Sequence, residues 1–484
     1  MGGLAAAITK HGEDAVKPVL LMLQELRHRG AQTIQIATPN SSVIGQTFQE
    51  LRKQKIISNV IVGRNFSGTL PKKSQKAVLK RSYTLTVEGF LIPPLKKLAS
   101  LEIANELELN PQQKAAHIIR EFDGSYAFAI ALPNKIIAGR DLLGTSPFYI
   151  GQNESIYALA SERKALWVLG IKQAKSFPPG NLASLTPRGF EFKPTETLTQ
   201  PAQKTIDIEK AAHRLQKLLS ESINERIVDT KKIAVAFSGG LDSSIIATLV
   251  KNCKKEVKLI TVGLEGQSEL RHAEIAAEAL SLPLKIKTYK ISDVEKAVGK
   301  VLWLIEEADP MKVGIAIPLF WTSQIASENG FNVLLAGQGA DELFGGYHKY
   351  LKHYSRGGEE VRKVLFHDLV MSYEANFQRD NPICAFHEVN LRLPFIDRQV
   401  VQFALSLPLN LKILSTEDNL RKHVLRRVAH NLALPAFISE KTKKAVQYTT
   451  GVDKALRKLA QIKGLNLKGY VKQVFEEVYP TYRG

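Results

Sequence analysis

The chain has 484 residues, of which 44% are hydrophobic and 23% charged, a composition typical of a soluble globular protein with two or three domains. Its two cysteines, Cys253 and Cys384, exclude a disulfide framework, and no apolar run reaches the 18 residues of a membrane span. With no signal peptide visible, we expect a cytoplasmic protein without a membrane partner.

The formal net charge of +19 allows two interpretations. A strongly basic protein can bind nucleic acid, or it can bind a small polyanion such as a nucleotide. Lysine and arginine are spread along the chain, no run of five basic residues occurs, and aromatic residues do not alternate with them. We therefore expect a nucleotide site and no nucleic-acid partner.

Residues 1–195 are predicted to form a β-rich domain. Glycine, proline and asparagine separate short apolar runs that predict strands at Ile56–Val62, Tyr83–Val87, Ser125–Leu132 and Phe190–Phe192. Helical spacing of apolar residues predicts helices over 16–27 and 112–120. The polar segment Glu196–Lys204 is predicted to link this domain to a second one over residues 205–484.

The second domain alternates predicted strands and helices after a first helix at about 208–227. Strands are expected at 233–237, 257–262, 284–289 and 333–335, with helices at 245–250, 269–280, 294–307 and 319–328. This order predicts a doubly wound parallel α/β sheet, in which ligands bind at the carboxyl ends of the strands. After Tyr347 the pattern is mostly helical.

A glycine-rich loop, Ser238-Gly239-Gly240-Leu241-Asp242-Ser243-Ser244, joins the first of these strands to its helix. A strand, such a turn and a helix direct backbone N–H groups at phosphate. No lysine follows the glycines, so this is not the G-x-x-x-x-G-K-S/T phosphate loop. A carboxylate beside phosphate requires a cation between them, which makes Asp242 a candidate Mg²⁺ ligand.

The loop resembles the PP-loop of ATP pyrophosphatases, and three later segments narrow the resemblance. They are Leu335–Tyr347 (LAGQGADELFGGY), Arg392–Asp397 (RLPFID) and Lys443–Tyr448 (KKAVQY). In this order, over about residues 205–450, they resemble the synthetase domain of the asparagine synthetase family. The resemblance implies ATP and Mg²⁺ as cofactors. It also implies an acyl-adenylate of aspartate or a related carboxylate that ammonia attacks, giving asparagine, AMP and pyrophosphate.

The resemblance also implies which residues bind the nucleotide. Those expected to bind ATP or pyrophosphate are Ser238, Gly239, Gly240, Leu241, Asp242, Ser243, Ser244, Val262, Gly263 and Gly337. Asp341 is expected to join Asp242 as a metal ligand. The alternative for Asp341 and Glu342 is capping of a helix N-terminus, which the flanking glycines disfavour because they favour a ligand loop over a helix.

Two catalytic positions are implied with alternatives. Lys444 is the candidate catalytic lysine, but it stands one residue away from the family's K-x-x-F spacing, so Lys443 and Lys441 are alternatives, as is a merely solvated basic face. Gln338 stands where the family often has Glu or Asp to help deprotonate ammonia. Because glutamine cannot act as a base, either another group takes the proton or the nucleophile or substrate differs.

The first domain resembles the family's glutaminase domain. The matching segments are Leu26–Gly30, Asp123–Ala129, Gly139–Gly144, Ala160–Leu166 and Phe177–Gly180. They imply an N-terminal-nucleophile-type αββα sandwich of the class II glutamine amidotransferases. Active members begin Met-Cys-Gly, with the cysteine as nucleophile, whereas Gly2 stands here.

Other parts of the glutaminase site are also altered. The Asn-Gly-Glu-Ile-Tyr-Asn motif is replaced by Val87–Ile92. Arg64 is a weak match to the arginine that binds the glutamine carboxylate, and His28 is expected to be structural. We predict that this domain does not hydrolyse glutamine.

Other functions remain open at the level of the sequence. A relative resembling β-lactam synthetase, which also lacks the cysteine, would form an amide on a different carboxylate. A PP-loop enzyme that modifies tRNA would suit the basic charge, but RLPFID and the lack of an RNA-binding appendage disfavour it. A regulator that binds ATP without catalysis is disfavoured because Ser238, Asp242, Asp341 and the lysine cluster are all present. A homodimer is an open possibility.

Overall fold

A computed structural model describes residues 2–67, 78–80, 83–92, 110–355, 357–442 and 445–480. The chain divides into two compact units, the first built mainly from residues up to Leu198 and the second from Thr199 onward. The boundary between them falls inside the polar segment Glu196–Lys204. None of the described helices is both long enough and apolar enough to cross a membrane.

The first unit contains two antiparallel sheets. Its described strands are β1 Gly2–Thr9, β2 Thr33–Ala37, β3 Ser42–Gly45, β4 Val60–Phe66, β5 Val78–Lys80, β6 Tyr83–Ile92, β7 Asp123–Leu132, β8 Lys135–Arg140, β9 Tyr149–Gln152, β10 Ile156–Ala160, β11 Lys175–Ser176, β12 Asn181–Thr186 and β13 Gly189–Pro194. Its described helices are α1 Val16–Glu25, α2 Phe48–Lys53, α3 Pro111–Glu121 and α4 Arg163–Trp167. Among these residues the sheet orders are β11-β9-β10-β1-β4-β2-β3 and β13-β12-β8-β7-β6-β5.

Strand β1 runs through the centre of the first sheet, and all eight of its residues are buried. Its side chains alternate between two cores. Ala5 and Ala7 pack in the core that contains α1, and Leu4, Ala6 and Ile8 pack in the core shared with the second sheet. A third core covers the outer face of the second sheet beneath α3. The layers are therefore helix, sheet, sheet and helix, as the αββα prediction requires.

The second unit contains a parallel sheet flanked by helices. Its strands are β14 Lys232–Ala236, β15 Glu256–Leu264, β16 Leu284–Tyr289, β17 Val333–Leu335 and β18 Asn390–Arg392. Its described helices are α5 Ile208–Ile227, α6 Leu241–Lys251, α7 Ser268–Ala279, α8 Ile291–Ile305, α9 Pro310–Glu328, α10 Ala340–Phe344, α11 Lys349–Tyr354, α12 Gly358–Val370, α13 Gln378–Phe386, α14 Arg398–Ser406, α15 His423–Asn431, α16 Ala436–Ser439, α17 Val446–Thr449, α18 Val452–Ile462 and α19 Leu467–Val478.

The strand order β16-β15-β14-β17-β18 sets the position of the site. The chain moves outward from β14 to β16 and then returns to place β17 on the other side of β14. The carboxyl ends of β14 and β17 therefore form a topological switch point, where α/β sheets bind ligands. With the two antiparallel sheets of the first unit, this sheet confirms the predicted fold class.

Two elements differ clearly from the sequence-based prediction. The strand predicted at Ile56–Val62 begins at Val60 and continues to Phe66, while Ile57 is 83% exposed. The helix predicted from Leu319 begins at Pro310, because Asp309 caps it by accepting a hydrogen bond from Lys312 N. Pro318 lies inside this helix, although it cannot donate a backbone N–H to it.

Candidate functional site

The loop after β14 begins the site. Gly239 has a φ of +66°, a left-handed conformation that favours glycine, and its carbonyl accepts a hydrogen bond from the His272 ring at 2.9 Å. Ser238 Oγ lies 3.2 Å from Ser243 Oγ and accepts from Gly240 N at 3.3 Å. These contacts hold the turn that opens helix α6, so backbone amides face the switch point.

The loop after β17 forms the second wall. Gly337 packs so closely against the first loop that a Cβ there would lie 3.1 Å from Asp242 Cβ. Contrary to the expected ligand loop, Ala340–Phe344 forms the short helix α10, bounded by Gly339 and Gly345 with φ of +91° and +75°. The two glycines take the left-handed conformations at the ends of this turn rather than preventing it.

Asp242 and Asp341 come together around one cation, the ammonium of Lys422. Lys422 Nζ lies 2.7 Å from Asp242 Oδ2 and 2.6 Å from Asp341 Oδ1. Lys422 is 3% exposed and has a φ of +54°, a conformation that a non-glycine residue adopts only when its surroundings impose it. A Cβ at Gly346 would collide with both Asp341 and Lys422, so this approach requires glycine there.

Gln338 belongs to a buried polar chain. Its Nε2 donates to Asp380 Oδ2 at 2.9 Å. Asp380 is fully buried and is neutralised by Arg379, whose Nε and Nη2 lie 2.7 and 3.1 Å from its two carboxylate oxygens. Because an ionised carboxylate only accepts hydrogen bonds, the amide nitrogen of Gln338 must face Asp380, and its oxygen points elsewhere.

Glu342 follows Asp341 in α10 and is nearly buried. Its Oε1 accepts from Tyr347 Oη at 2.8 Å and from Asn376 Nδ2 at 2.9 Å. Burial and, secondarily, the adjacent Asp341 carboxylate raise the pKa of Glu342, although these two hydrogen bonds oppose the rise. Glu342 therefore retains a proton to a higher pH than an exposed glutamate.

These walls enclose a cavity of about 320 Å³. The predicted site residues that line it are Ser238, Gly240, Leu241, Asp242, Ser243, Val262, Gly337, Gln338 and Asp341. Gly239, Ser244 and Gly263 do not line it. Ser244 Oγ is buried, and a Cβ at Gly263 would face Leu270 at 3.1 Å. Lys441 lines the cavity, whereas Lys443 and Lys444 lie outside the described residues.

Charged residues that the sequence did not point to also line this cavity, among them Arg379, Asp380, Lys422 and Arg426. They come from α13 and from the region around α15, far from the glycine-rich segments in sequence. No spacing rule connects them to those segments. Only the packing of the helical region after Tyr347 brings them to the switch point.

The start of β1 in the first unit is surrounded by buried charges. Arg29, 1% exposed, donates from Nε to Gly2 O at 2.8 Å and pairs with Glu162 at 2.8 Å and Glu88 at 2.6 Å. Ser161 Oγ also donates to Glu88. A Cβ at Gly2 would collide with the carbonyl oxygen of Asn65, so the structure leaves no room for a side chain there.

His28 and Arg64 complete this region. Burial lowers the pKa of His28, although Glu162, 3.0 Å from its Nε2, opposes the shift. Arg64 is buried, donates to Val87 O at 2.9 Å, and its Nη2 has no hydrogen-bond partner. Burial lowers the pKa of Arg64 to about 10. Both ring nitrogens of His28 have hydrogen-bond partners, Glu25 O and Glu162.

An αββα sandwich followed by a parallel α/β unit with a glycine-rich loop at its switch point defines a class of two-domain, ATP-dependent amidotransferases. Comparison with known proteins identifies the family. The asparagine synthase family model matches residues 214–360 and 351–475, and the glutamine amidotransferase domain model matches residues 101–168.

Known relatives extend over the whole chain. A Methanocaldococcus jannaschii protein, named "Putative asparagine synthetase (glutamine-hydrolyzing) 1", is 30% identical over 97% of this chain and 97% of its own length. Asparagine synthetase B (glutamine-hydrolyzing) of Escherichia coli is 26% identical over 70% of this chain and 63% of its own. The chain belongs to the asparagine synthase family. It is an enzyme, a carbon–nitrogen ligase of the asparagine synthase type, as the sequence predicted.

Proposed function

We propose that the second unit adenylates the side-chain carboxylate of aspartate, or of a related substrate, and that ammonia then attacks the adenylate to form an amide. The observation that carries this proposal is the convergence of the β14 and β17 loops, with Asp242 and Asp341 both against the ammonium of Lys422. Backbone amides bind the phosphate oxygens and paired carboxylates bind the metal ion. The two kinds of group side by side therefore suit pyrophosphate with a bound metal ion better than they suit pyrophosphate or the metal ion alone.

The donor set at this point fits Mg²⁺. Two carboxylates already converge on the ammonium of Lys422, which occupies the position that we propose for the metal ion. Mg²⁺ prefers one or two carboxylates together with phosphate oxygens. Asp242 and Asp341 would hold the ion. When bound, Mg²⁺ would neutralise the charge that builds up on the phosphates during transfer.

The chain's own groups would act on both steps. In the first, a carboxylate oxygen attacks the α-phosphorus, and the P–O bond to pyrophosphate breaks with its electron pair. The amides of Gly240 and Ser243 and the hydroxyl of Ser238 would hold the departing group. In the second step nitrogen bonds to the acyl carbon, and AMP leaves with the electron pair of the C–O bond. Lys441 lines the cavity and, with Lys443 and Lys444, would stabilise the charge that develops on phosphate.

Gln338 would position the nucleophile rather than deprotonate it. Its Nε2 is fixed on Asp380, so its Oε1 is a fixed acceptor on the cavity wall that can receive an N–H from ammonia. An amide cannot take the proton that nitrogen loses, so this proton passes to solvent or to another group. The raised pKa of Glu342 makes it a candidate for that role.

We also propose that the first unit does not hydrolyse glutamine by the family's cysteine mechanism. Residues 1–195 contain no cysteine, and Gly2 has no space for a side chain. Glu88, in the segment that replaces the Asn-Gly motif, holds a buried carboxylate paired with Arg29. A carboxylate there would repel the oxyanion that forms during amide hydrolysis.

A second candidate function is amide formation on a carboxylate other than aspartate. Gln338 favours this candidate. The family often has a carboxylate at this position to deprotonate ammonia, and its replacement by an amide would be consistent with a different substrate. Product analysis tests both candidates. With ATP, Mg²⁺, ammonia and aspartate, the proposal predicts asparagine, AMP and pyrophosphate in equal amounts. ADP as the nucleotide product would contradict adenylation, and an amide formed only from another acid would favour the second candidate.

A further inference from the structure

The ammonium of Lys422 occupies the point where the two proposed metal ligands meet. Its Nζ lies within 2.7 Å of an oxygen from each carboxylate, and a second Asp242 oxygen lies at 3.0 Å. Asp242 and Asp341 are 14% and 13% exposed as side chains, and Lys422 is 4% exposed. The two carboxylates therefore lie on either side of the Lys422 ammonium, and all three groups are largely shielded from water.

This arrangement restricts what can replace Lys422. Two carboxylates this close together repel one another when water is largely excluded, so removal of one cation requires another. The lysine is also held tightly. Its backbone is in the left-handed region, the neighbouring Arg421 has a φ of +50°, and Arg421 Nε donates to Gly346 O at 3.2 Å. These contacts fix the backbone, so the ammonium would have to leave the carboxylates by rotation of the flexible lysine stem.

We propose that Lys422 is an internal cation that competes with the divalent metal, so that metal binds tightly only together with nucleotide. The inference rests on the proposed metal site. Without nucleotide, Lys422 neutralises Asp242 and Asp341, and the apparent affinity for a free divalent ion is the intrinsic affinity multiplied by the fraction of time that the ammonium is out of the site. The phosphates of an incoming nucleotide offer the ammonium a new partner, which would release both carboxylates to the metal.

The test measures metal binding rather than activity. Binding of Mn²⁺ to the purified full chain without nucleotide is followed by the loss of the electron paramagnetic resonance signal of free Mn²⁺. We expect Lys422→Met to bind Mn²⁺ at least about 10-fold more tightly than the parent, because the competitor is gone. The gain should disappear in the double variant Lys422→Met/Asp341→Asn. Lys217→Met, which changes an exposed lysine of α5, should leave binding unchanged.

A second measurement covers the case in which Lys422→Met folds poorly. Its stability to urea should fall in EDTA and recover when Mn²⁺ is added, whereas the stability of the parent should change little with Mn²⁺. Mn²⁺ binding to Lys422→Met that is equal to or weaker than that of the parent would overturn the inference. So would a loss of stability that Mn²⁺ does not restore. Failure of Mn²⁺ to bind the parent even with ATP would instead refute the proposed metal site.

Discussion

Asp242 lies in a loop whose backbone amides suit an anion, and its own carboxylate is neutralised by Lys422 at 2.7 Å. At the scale of single residues, the site depends on such pairings. Gln338 has a defined orientation because Asp380 accepts its amide, and Asp380 is tolerated in the interior because Arg379 neutralises it. A change of charge at any of these positions therefore affects its neighbours.

Asp242→Asn should abolish exchange of labelled pyrophosphate into ATP while the protein remains folded. The amide keeps the size of the side chain but cannot replace the charged oxygen that we propose for the metal. We expect a loss of at least about 100-fold, comparable to the loss of a donor that stabilises a transition state. Asp453→Asn, in α18, where the carboxylate pairs with Arg457 and does not line the cavity, is the matched control. Exchange at near-parent rates in Asp242→Asn would exclude a metal role for Asp242.

Gln338→Glu should change the pH dependence of amide formation. The new carboxyl group would lie where the Gln338 amide now meets Asp380 at 2.9 Å, so the two acids could not both ionise and one pKa would rise. The pH profile of kcat/KM for ammonia should gain an ionisation that the parent lacks, while pyrophosphate exchange persists. Gln461→Glu, at an exposed position of α18, is the control. An unchanged profile would mean that position 338 does not face the nucleophile.

At the scale of elements, the spacing of apolar residues predicts most of the second unit. The strands Leu284–Tyr289 and Val333–Leu335 and the helix Ile208–Ile227 lie where the pattern puts them, because parallel strands and amphipathic helices have distinct periodicities. Strand β1 was missed because its alanines have low strand propensity. It forms because both of its faces are buried, and tertiary packing overrides propensity.

The site contains residues that could be predicted from the sequence, such as Asp242 and Asp341, and one that could not, Lys422. Asp242 was a candidate metal ligand because a carboxylate beside phosphate requires a cation, and the family resemblance implied Asp341 as its partner. Lys422 could not be found in this way. It precedes α15, and only the three-dimensional path of the helical region brings it back to β14 and β17. Lys444, the predicted catalytic lysine, lies outside the described residues and stays a prediction.

The turn Leu409–Leu411 and the buried residue that follows it provide a test of stability. Burial, with a smaller contribution from Arg362, lowers the pKa of Lys412 to about 7. Below about pH 7, Lys412 is charged in the folded state, where burial disfavours that charge. Above the pKa of lysine in the unfolded chain, about 10, Lys412 is neutral in both the folded and the unfolded state. The contribution of Lys412 to stability should therefore increase as the pH rises from about 7 to about 10.

Lys412→Met should consequently be more stable than the parent at pH 7, by of the order of 1–3 kcal/mol, with a difference that shrinks toward pH 10. Urea unfolding of both proteins at several pH values measures it, and Lys217→Met controls for loss of an exposed lysine. A difference that is constant with pH would show that Lys412 is not held in a desolvated environment.

At the scale of the whole molecule, the two units differ in how completely they retain the machinery of their family. The second unit has the loops, the paired carboxylates and the cavity. The first unit has the sandwich, but Gly2 stands at the start of β1, and Arg29, which donates to Gly2 O, pairs there with the buried Glu88 of β6. A conserved scaffold does not require a conserved activity, because function depends on the groups at the site.

Ammonia should therefore support amide formation and glutamine should not. The expected result is synthesis with ammonium salts, no synthesis with glutamine above the background of contaminating ammonia, and no release of glutamate. Measurement of glutamate with the pure protein checks the second point, and a cysteine-containing relative serves as the positive control. Glutamate release well above background would show that the first unit hydrolyses glutamine by a route other than the cysteine mechanism.

The most direct test of adenylation is aspartate-dependent exchange of labelled pyrophosphate into ATP, measured with Mg²⁺ and without any nitrogen donor. Exchange in this assay requires reversible formation of an acyl-adenylate and does not require the first unit to act on glutamine. The proposed function predicts exchange that depends on aspartate or a related acid and is lost in Asp242→Asn. Binding of ATP without exchange for any carboxylic acid tested would contradict it and would favour a regulator that binds nucleotide.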